Sequence, residues 1–175
     1  MLHIVTGLPG SGKTEISKYL ARKLNAIVIN TDKVRDSMFP HQGRNEIGDF
    51  TPEQLRQVYS ALKPISFYIA KVNPRKHFII EGTFRLDSQR QNLINEMKKL
   101  KHHYKVIFVE VDDEEAKKRI QERFNSGKAK STVAEYLEIK KIYERPKNAY
   151  TINNSGKLKD LYKKLREYTR SLKRY

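Results

Sequence analysis

The chain has 175 residues, 38% of them hydrophobic, which suits one globular domain with an adequate core. It contains no Cys, which excludes disulfides and thiolate metal sites, and its 36 Lys and Arg against 20 Asp and Glu give a net charge of +16, a field that attracts polyanions. No basic segment followed by an apolar run opens the chain and no apolar stretch is long enough to span a bilayer, so a cytoplasmic protein with no membrane partner is expected.

Taken in order, Leu2, Ile4 and Val5 form a short β-prone run, GLPGSGKT follows at 7–14, and EISKYLARKL then sets Ile16, Tyr19, Leu20 and Leu24 at helical spacing. A strand, G-x-x-x-x-G-K-[ST] and a helix in that sequence predict a phosphate-binding loop. Gly7, Gly10 and Gly12 free the backbone so that its N–H groups, that of Ser11 among them, converge on phosphate oxygens, and the helix adds its positive end. Lys13 is expected to reach the β- and γ-phosphates and the Thr14 hydroxyl to help hold Mg²⁺, so ATP and Mg²⁺ are the expected cofactors. The five His, at 3, 41, 77, 102 and 103, show no metal-ligand pairing with carboxylates, and no zinc site is expected.

AIVIN (26–30) reads as a second strand, and TDKVRDSMF (31–39) as a loop with Asp32 near the start of a helix. PHQGRNEIGDFT (40–51) is polar and rich in turn formers, a substrate-facing loop. Residues 52–72 form a long helical pattern opened by Pro52, with Pro64 expected to kink or split it. HFIIEGT (77–83) is a buried strand ending in a carboxylate and a hydroxyl, 87–100 an amphipathic helix, and YKVIFVEV (104–111) a further strand. DDEEAKKRIQERF (112–124) opens acidic and turns basic, which favours a helix, and the short basic loop SGKAKST (126–132) follows. A helix over 131–144, a last strand YTINNS (150–155) and a basic terminal helix over about 157–174 complete the chain. Alternation of this kind predicts an α/β fold, three-layered, with a five-stranded parallel sheet and its site at the carboxyl ends of the strands.

Asp32, just past the second strand, is on the same sheet edge as the phosphate loop and is the candidate general base; the competing role is a helix cap made by Thr31 or Asp32. Arg35, one turn on, either binds an acceptor phosphate or pairs with Asp32 or Asp36. Glu81 and Thr83 would face the same crevice, with Glu81 orienting metal-bound water or an acceptor hydroxyl. Arg119 and Arg123 lie four apart and suit a helical lid over about 119–132 that closes on the transferring phosphoryl group; otherwise they form a solvated face with Glu115 and Glu122. In the terminal helix Leu158, Leu161, Leu165, Tyr168 and Leu172 make an apolar stripe for core packing. The basic remainder there is a nucleic-acid footprint, a weak membrane-surface face or simply a solvated one.

With GLPGSGKT, NTDKVRDSMF, FIIEGTFR and EAKKRIQERF, the chain resembles the small P-loop kinases of the zeta-toxin and AAA-domain kinase group and the neighbouring 5′-hydroxyl polynucleotide kinases, over roughly residues 1–155. The resemblance implies a P-loop NTPase fold, Lys13 and Thr14 on ATP and Mg²⁺, Asp32 as general base, Arg35 on the acceptor side and Arg119 as lid arginine. IIEGTFR looks like the zeta-toxin motif, whose members phosphorylate a nucleotide sugar, and brings in Glu81, Thr83 and Arg85. VINTDKVRDSMF looks like the polynucleotide kinases, whose third strand ends Asp-Thr where this chain has Gly82 before Thr83. Related small kinases also place an arginine against adenine, implying that role for Arg145; its alternative is a pair with Glu144 or Glu138. The expected activity is ATP-dependent phosphorylation of an acceptor hydroxyl on a nucleic acid or nucleotide, with a nucleotide sugar or other small molecule as the second reading. A nucleotide-dependent RNA-binding ATPase switch is the reading from another class.

Overall fold

Five short strands, β1 (Leu2–Thr6), β2 (Ile27–Asn30), β3 (Phe78–Glu81), β4 (Tyr104–Glu110) and β5 (Tyr150–Asn153), pair in the order β2-β3-β1-β4-β5, every pair parallel. The computed structural model describes residues 1–40, 50–127 and 131–172. Most of the expected substrate-facing loop (41–49), part of the basic loop (128–130) and residues 173–175 lie outside the described residues.

Parallel strands must be joined by crossovers, and the helices supply them on both faces. On one face α1 (Lys13–Leu24) and α7 (Leu158–Ser171) cover Val5, Ile79, Ile107, Val109 and Ile152 with Ile16, Leu20, Leu161, Leu165 and Tyr168. On the other, α3 (Pro52–Val72) and α4 (Asp87–Lys99) cover Leu2, Ile4, Phe78, Ile80 and Val106 with Leu62, Ala70, Leu93 and Met97. Neighbours in β3 go to opposite layers because side chains alternate across a strand. Two further helices, α5 (Asp113–Asn125) and α6 (Val133–Ile142), pack through Ala116, Ile120 and Tyr136, and Tyr136 donates to Asp113 Oδ1 at 2.6 Å. No helix among the described residues is long and apolar enough to cross a membrane.

Three expectations are corrected. Pro64 neither splits nor ends α3: Val58, Leu62, Ser66 and Ala70 are buried at four-residue spacing across it, so packing on α4 holds one helix where a carbonyl has lost its donor. No loop follows β2: Asn30 caps α2 directly, and the helix runs from Thr31 to Met38. Leu158 does not join the stripe of α7, being 66% exposed; the core beneath that helix begins at Leu161.

At the strand ends away from the phosphate loop, the buried His3 ring is bonded through Nδ1 to the Tyr168 hydroxyl (2.7 Å) and through Nε2 to His77 Nδ1 (2.9 Å). One hydrogen serves each contact, so the chain is satisfied with both rings neutral. Burial, reinforced by His77, pulls His3 down to about 3. Below the ordinary His pKa the unfolded chain takes up a proton that the folded one refuses, so stability is intact near neutrality and falls with pH. Between pH 6.5 and 5 this group alone costs about 2 kcal/mol. Urea denaturation at the two pH values should show that loss, and His3→Asn should flatten the slope.

Candidate active site

Leaving β1 at Thr6, the chain passes through the loop 7–12 and enters α1 at Lys13. Gly10 and Gly12 have φ of 78° and 90°, left-handed values that side chains oppose. Space forbids a Cβ there too: at Gly10 it would stand 2.7 Å from the Ala116 carbonyl oxygen, at Gly12 2.3 Å from Asn154 Nδ2. The loop is therefore wedged between α5 and the end of β5. Ser11 Oγ is buried with no partner, and the Lys13 ammonium donates to the loop's own carbonyls at Gly7 (2.9 Å) and Leu8 (3.0 Å).

Across the sheet edge, Glu81 at the end of β3 is 3% exposed. Its Oε1 accepts from Thr14 Oγ1 at 2.6 Å and from Asn30 Nδ2 at 3.1 Å. Burial pulls the Lys13 ammonium down to about 8; Asp32 and Glu81 oppose this and Arg123 adds to it. Lys13, Asp32, Glu81 and Arg123 thus share one electrostatic neighbourhood at the carboxyl ends of β1, β2 and β3, with Lys13 charged at neutral pH.

The cap of α2 is made by neither Thr31 nor Asp32. Asn30 Oδ1 accepts from the backbone N–H groups of Asp32 (2.9 Å) and Lys33 (3.1 Å), so the Asp32 carboxylate remains unspent on the helix end and is 68% exposed. It meets Arg35 at 3.1 Å; Arg35 also lies 3.7 Å from Asp36 and its guanidinium stands 4.6 Å over the Phe50 ring. Gly82 approaches Thr31 so closely that a Cβ would fall 2.6 Å from both Thr31 Oγ1 and Cγ2. That contact is the physical reason this strand ends Glu-Gly-Thr.

After β3 the chain turns through Thr83, whose carbonyl accepts from Thr6 Oγ1 (2.7 Å), and Phe84, a bulky residue at φ 48°. Phe84 is held by its own N–H donating to the Tyr59 hydroxyl (3.2 Å) and by Arg90, 1% exposed, which donates to the Phe84 carbonyl, to Asp87 Oδ1 and to the Glu144 carbonyl at 2.7 Å. The Glu144 N–H returns a bond to the Arg85 carbonyl at 2.7 Å. Arg90 thereby fixes the segment carrying Thr83 and Arg85 against the one leading to Arg145.

Arg119 does not pair with Glu122: its Nε donates to Glu115 Oε1 (2.8 Å) and its Nη2 to the Asn154 carbonyl (2.9 Å). Asn154, 7% exposed, completes the arrangement by donating Nδ2 to the Ser11 carbonyl at 2.8 Å. Arg145 pairs with neither Glu144 nor Glu138; it donates to Glu110 Oε1 (2.7 Å) and lies 4.9 Å over the Phe108 ring. Asn30, Arg90 and Asn154 went unread in the sequence. Asn30 carried a signal, an Asn directly before a helical pattern; the Glu144 partner of Arg90 and the Ser11 partner of Asn154 lie 54 and 143 residues away and leave none.

The residues fit a phosphate chain and its metal. A loop cradle too tight for any Cβ, an unpartnered buried hydroxyl at Ser11 and a mobile-stemmed ammonium at Lys13 supply donors for phosphate oxygens. The Thr14 hydroxyl and Glu81 carboxylate offer the hard oxygen donors that suit Mg²⁺.

Solved structures share this architecture over almost the full length. A putative kinase from Chloroflexus aurantiacus superimposes with a TM-score of 0.73 at 18% identity, covering 97% of this chain and 96% of its own. A gluconokinase from Sinorhizobium meliloti gives 0.72 at 13% identity (97% and 94% covered). The APS kinase of Mycobacterium tuberculosis in complex with AMPPNP and APS gives 0.71 at 18% (98% and 96%). At such identities the likeness establishes the fold, that of the P-loop kinases. The family model described as an AAA domain matches residues 2–146, most of the chain and every element from β1 to α6, and the protein belongs to that family.

Proposed function

We propose that the protein is an ATP-dependent phosphotransferase that moves the γ-phosphoryl group to an acceptor hydroxyl. The observation that carries this reading is the grouping of Lys13, Thr14, Glu81 and an exposed Asp32 carboxylate that is not spent on the helix cap and, among the described residues, pairs only with the side chain of Arg35. A nucleotide switch needs the loop, but has less use for a second, exposed carboxylate beside it.

In this reading the loop N–H groups and Lys13 bind and neutralise the β- and γ-phosphates, and Glu81 orients the Thr14 hydroxyl. Bound Mg²⁺, held by Thr14 with Glu81 behind it, would supply charge neutralisation on the phosphate oxygens. Asp32 accepts the proton of the acceptor hydroxyl as its oxygen bonds to the γ-phosphorus and the bond to the β,γ-bridging oxygen breaks, releasing ADP. Arg35, Thr83 and Arg85 line the acceptor side, and Arg119 and Arg123 approach from the lid helix. Arg119 must exchange its bond to Asn154 for one to phosphate, a modest cost for a half-buried pair. Arg145, stacked on Phe108, presents a planar cation of the kind that flanks a base.

The acceptor we favour is a hydroxyl on a nucleic acid or nucleotide, because the charge of +16 suits a polyanion. Transfer of labelled γ-phosphate to a panel of 5′-hydroxyl RNA and DNA oligomers, nucleosides and nucleotide sugars tests it, with Asp32→Ala as control. Label on an oligomer, lost in the variant, supports the proposal. Label on small molecules alone moves the acceptor to the nucleotide-sugar class, and label released only as free phosphate overturns the transferase reading in favour of a switch.

A further inference from the structure

The cations of this protein are not all alike. Those on α3, α4, α5 and α6 are largely matched locally: Arg56 with Glu53, Lys99 with Glu96, Lys117 with Glu114, Lys141 with Glu138. A different arrangement is found where the last turn of α1 meets the last turns of α7. There Lys23 from one helix and Arg166 and Arg170 from the other line a groove of 420 Å³ whose remaining walls include Tyr19, Leu24 and His77, and no carboxylate lines it. All three cations are exposed, and none has a side-chain hydrogen bond or ion pair among the described residues.

We propose that this groove docks the phosphodiester backbone of a nucleic acid, as a second contact area remote from the phosphate loop. Arg166 and Arg170 stand one helical turn apart on the same side of α7, and Lys23 faces them from α1, so the positive charge is concave and convergent. Along the axis of α1, Lys23 lies about 15 Å from Lys13, at 1.5 Å per residue, so the groove is separate from the nucleotide site. Two guanidinium groups offer forked donors suited to phosphate oxygens, and nothing in the groove is arranged to read base edges. Binding should therefore be insensitive to sequence and strongly dependent on salt.

An anionic lipid surface is the competing partner for a basic helix, but it needs an apolar face to bury at the interface. Here that face is already spent: Leu161, Leu165, Tyr168 and Leu172 are buried against the sheet. What remains outward is charge around a hollow, which a chain of phosphates fills better than a plane of headgroups.

The experiment is fluorescence anisotropy of a labelled 20-nucleotide single-stranded RNA with the full chain, without ATP, from 50 to 300 mM KCl. The groove variant is Lys23→Gln with Arg166→Gln and Arg170→Gln; the control removes the same charge at exposed positions elsewhere, Lys98→Gln, Lys101→Gln and Lys118→Gln. The groove variant should lose at least about tenfold in affinity at 100 mM KCl. Its slope of log K against log salt should fall by about 2, the value for three phosphate contacts on a single strand. The control should stay within about threefold of wild type, and both variants should keep the wild-type thermal midpoint.

Equal losses in the two variants would overturn the proposal in favour of diffuse charge, as would absence of RNA binding by the wild type. Binding to phosphatidylserine vesicles but not to RNA would overturn it in favour of a membrane. The proposal stands apart from the transferase reading: RNA binding without ATP, lost in the groove variant and kept in the control, upholds it even if every acceptor tested turns out inert.

Discussion

Replacing Asp32 by alanine is expected to lower kcat for phosphoryl transfer by about 10²- to 10⁴-fold while the KM for ATP stays within about threefold. The size follows from the role: a positioned base is worth that much when the attacking hydroxyl must lose its proton, whereas ATP binding rests on the loop N–H groups and Lys13. Asp32 is well separated from the competing structural role, since the Asn30 side chain already receives the two N–H groups that open α2. The alternative therefore has a different target. Asn30→Ala should loosen α2 by about 1 kcal/mol and release one of the two bonds on Glu81, whereas Asp32→Ala should leave the thermal midpoint near that of wild type. A fall in stability with Asp32→Ala, and unchanged turnover, would return Asp32 to a purely structural place.

Arg90→Ala is expected to cost about 3 to 5 kcal/mol, near the top of the range for a single substitution. The side chain is 1% exposed and donates to two main-chain carbonyls, those of Phe84 and Glu144, as well as to Asp87. Truncation leaves the Phe84 carbonyl buried without this donor, frees the Glu144 carbonyl and opens a cavity behind a residue already held at a left-handed φ. Lysine in its place should recover little, because one ammonium cannot reproduce a planar fork that reaches three acceptors in different directions. Chemical denaturation of both variants measures this; a loss under about 1 kcal/mol would mean that water replaces the guanidinium. The same substitution should raise the KM for the acceptor, since Thr83 and Arg85 follow directly from the strand that Arg90 steadies.

The sheet and its layers were legible because each strand is a compact apolar run set between helical periods, a pattern that local spacing records. The phosphate loop was equally plain, its glycines being demanded by backbone geometry at Gly10 and Gly12. Proximity of Glu81 to Thr14 follows from topology: Glu81 ends β3, and Thr14 opens the helix that follows the neighbouring β1. What escaped were the contacts that cross the fold without a periodic signature. Asn154 reads as an ordinary turn residue and Arg90 as one more cation in a basic helix, yet Asn154 reaches Ser11 and Arg90 joins nearby Phe84 and Asp87 to distant Glu144. Helical spacing was right where the partner is local, Glu115 for Arg119, and failed for Arg145, where it offered Glu144 or Glu138 and the folded chain supplied Glu110. Pro64 shows the opposite limit, a strong local signal overruled by packing on both sides of it.

The close approach of Gly82 to Thr31 also restricts the order in which this site can diverge. With Thr31 in place, any side chain at position 82 meets atoms at 2.6 Å, so a carboxylate introduced there first would displace the start of α2 and with it Asp32. Shrinking Thr31 beforehand removes the nearest of these atoms and leaves the Phe84 ring, at 3.2 Å, as the remaining neighbour. The two positions are thus epistatic: an exchange of Glu-Gly-Thr for an Asp-Thr ending is less disruptive after a smaller residue stands at 31 than before it.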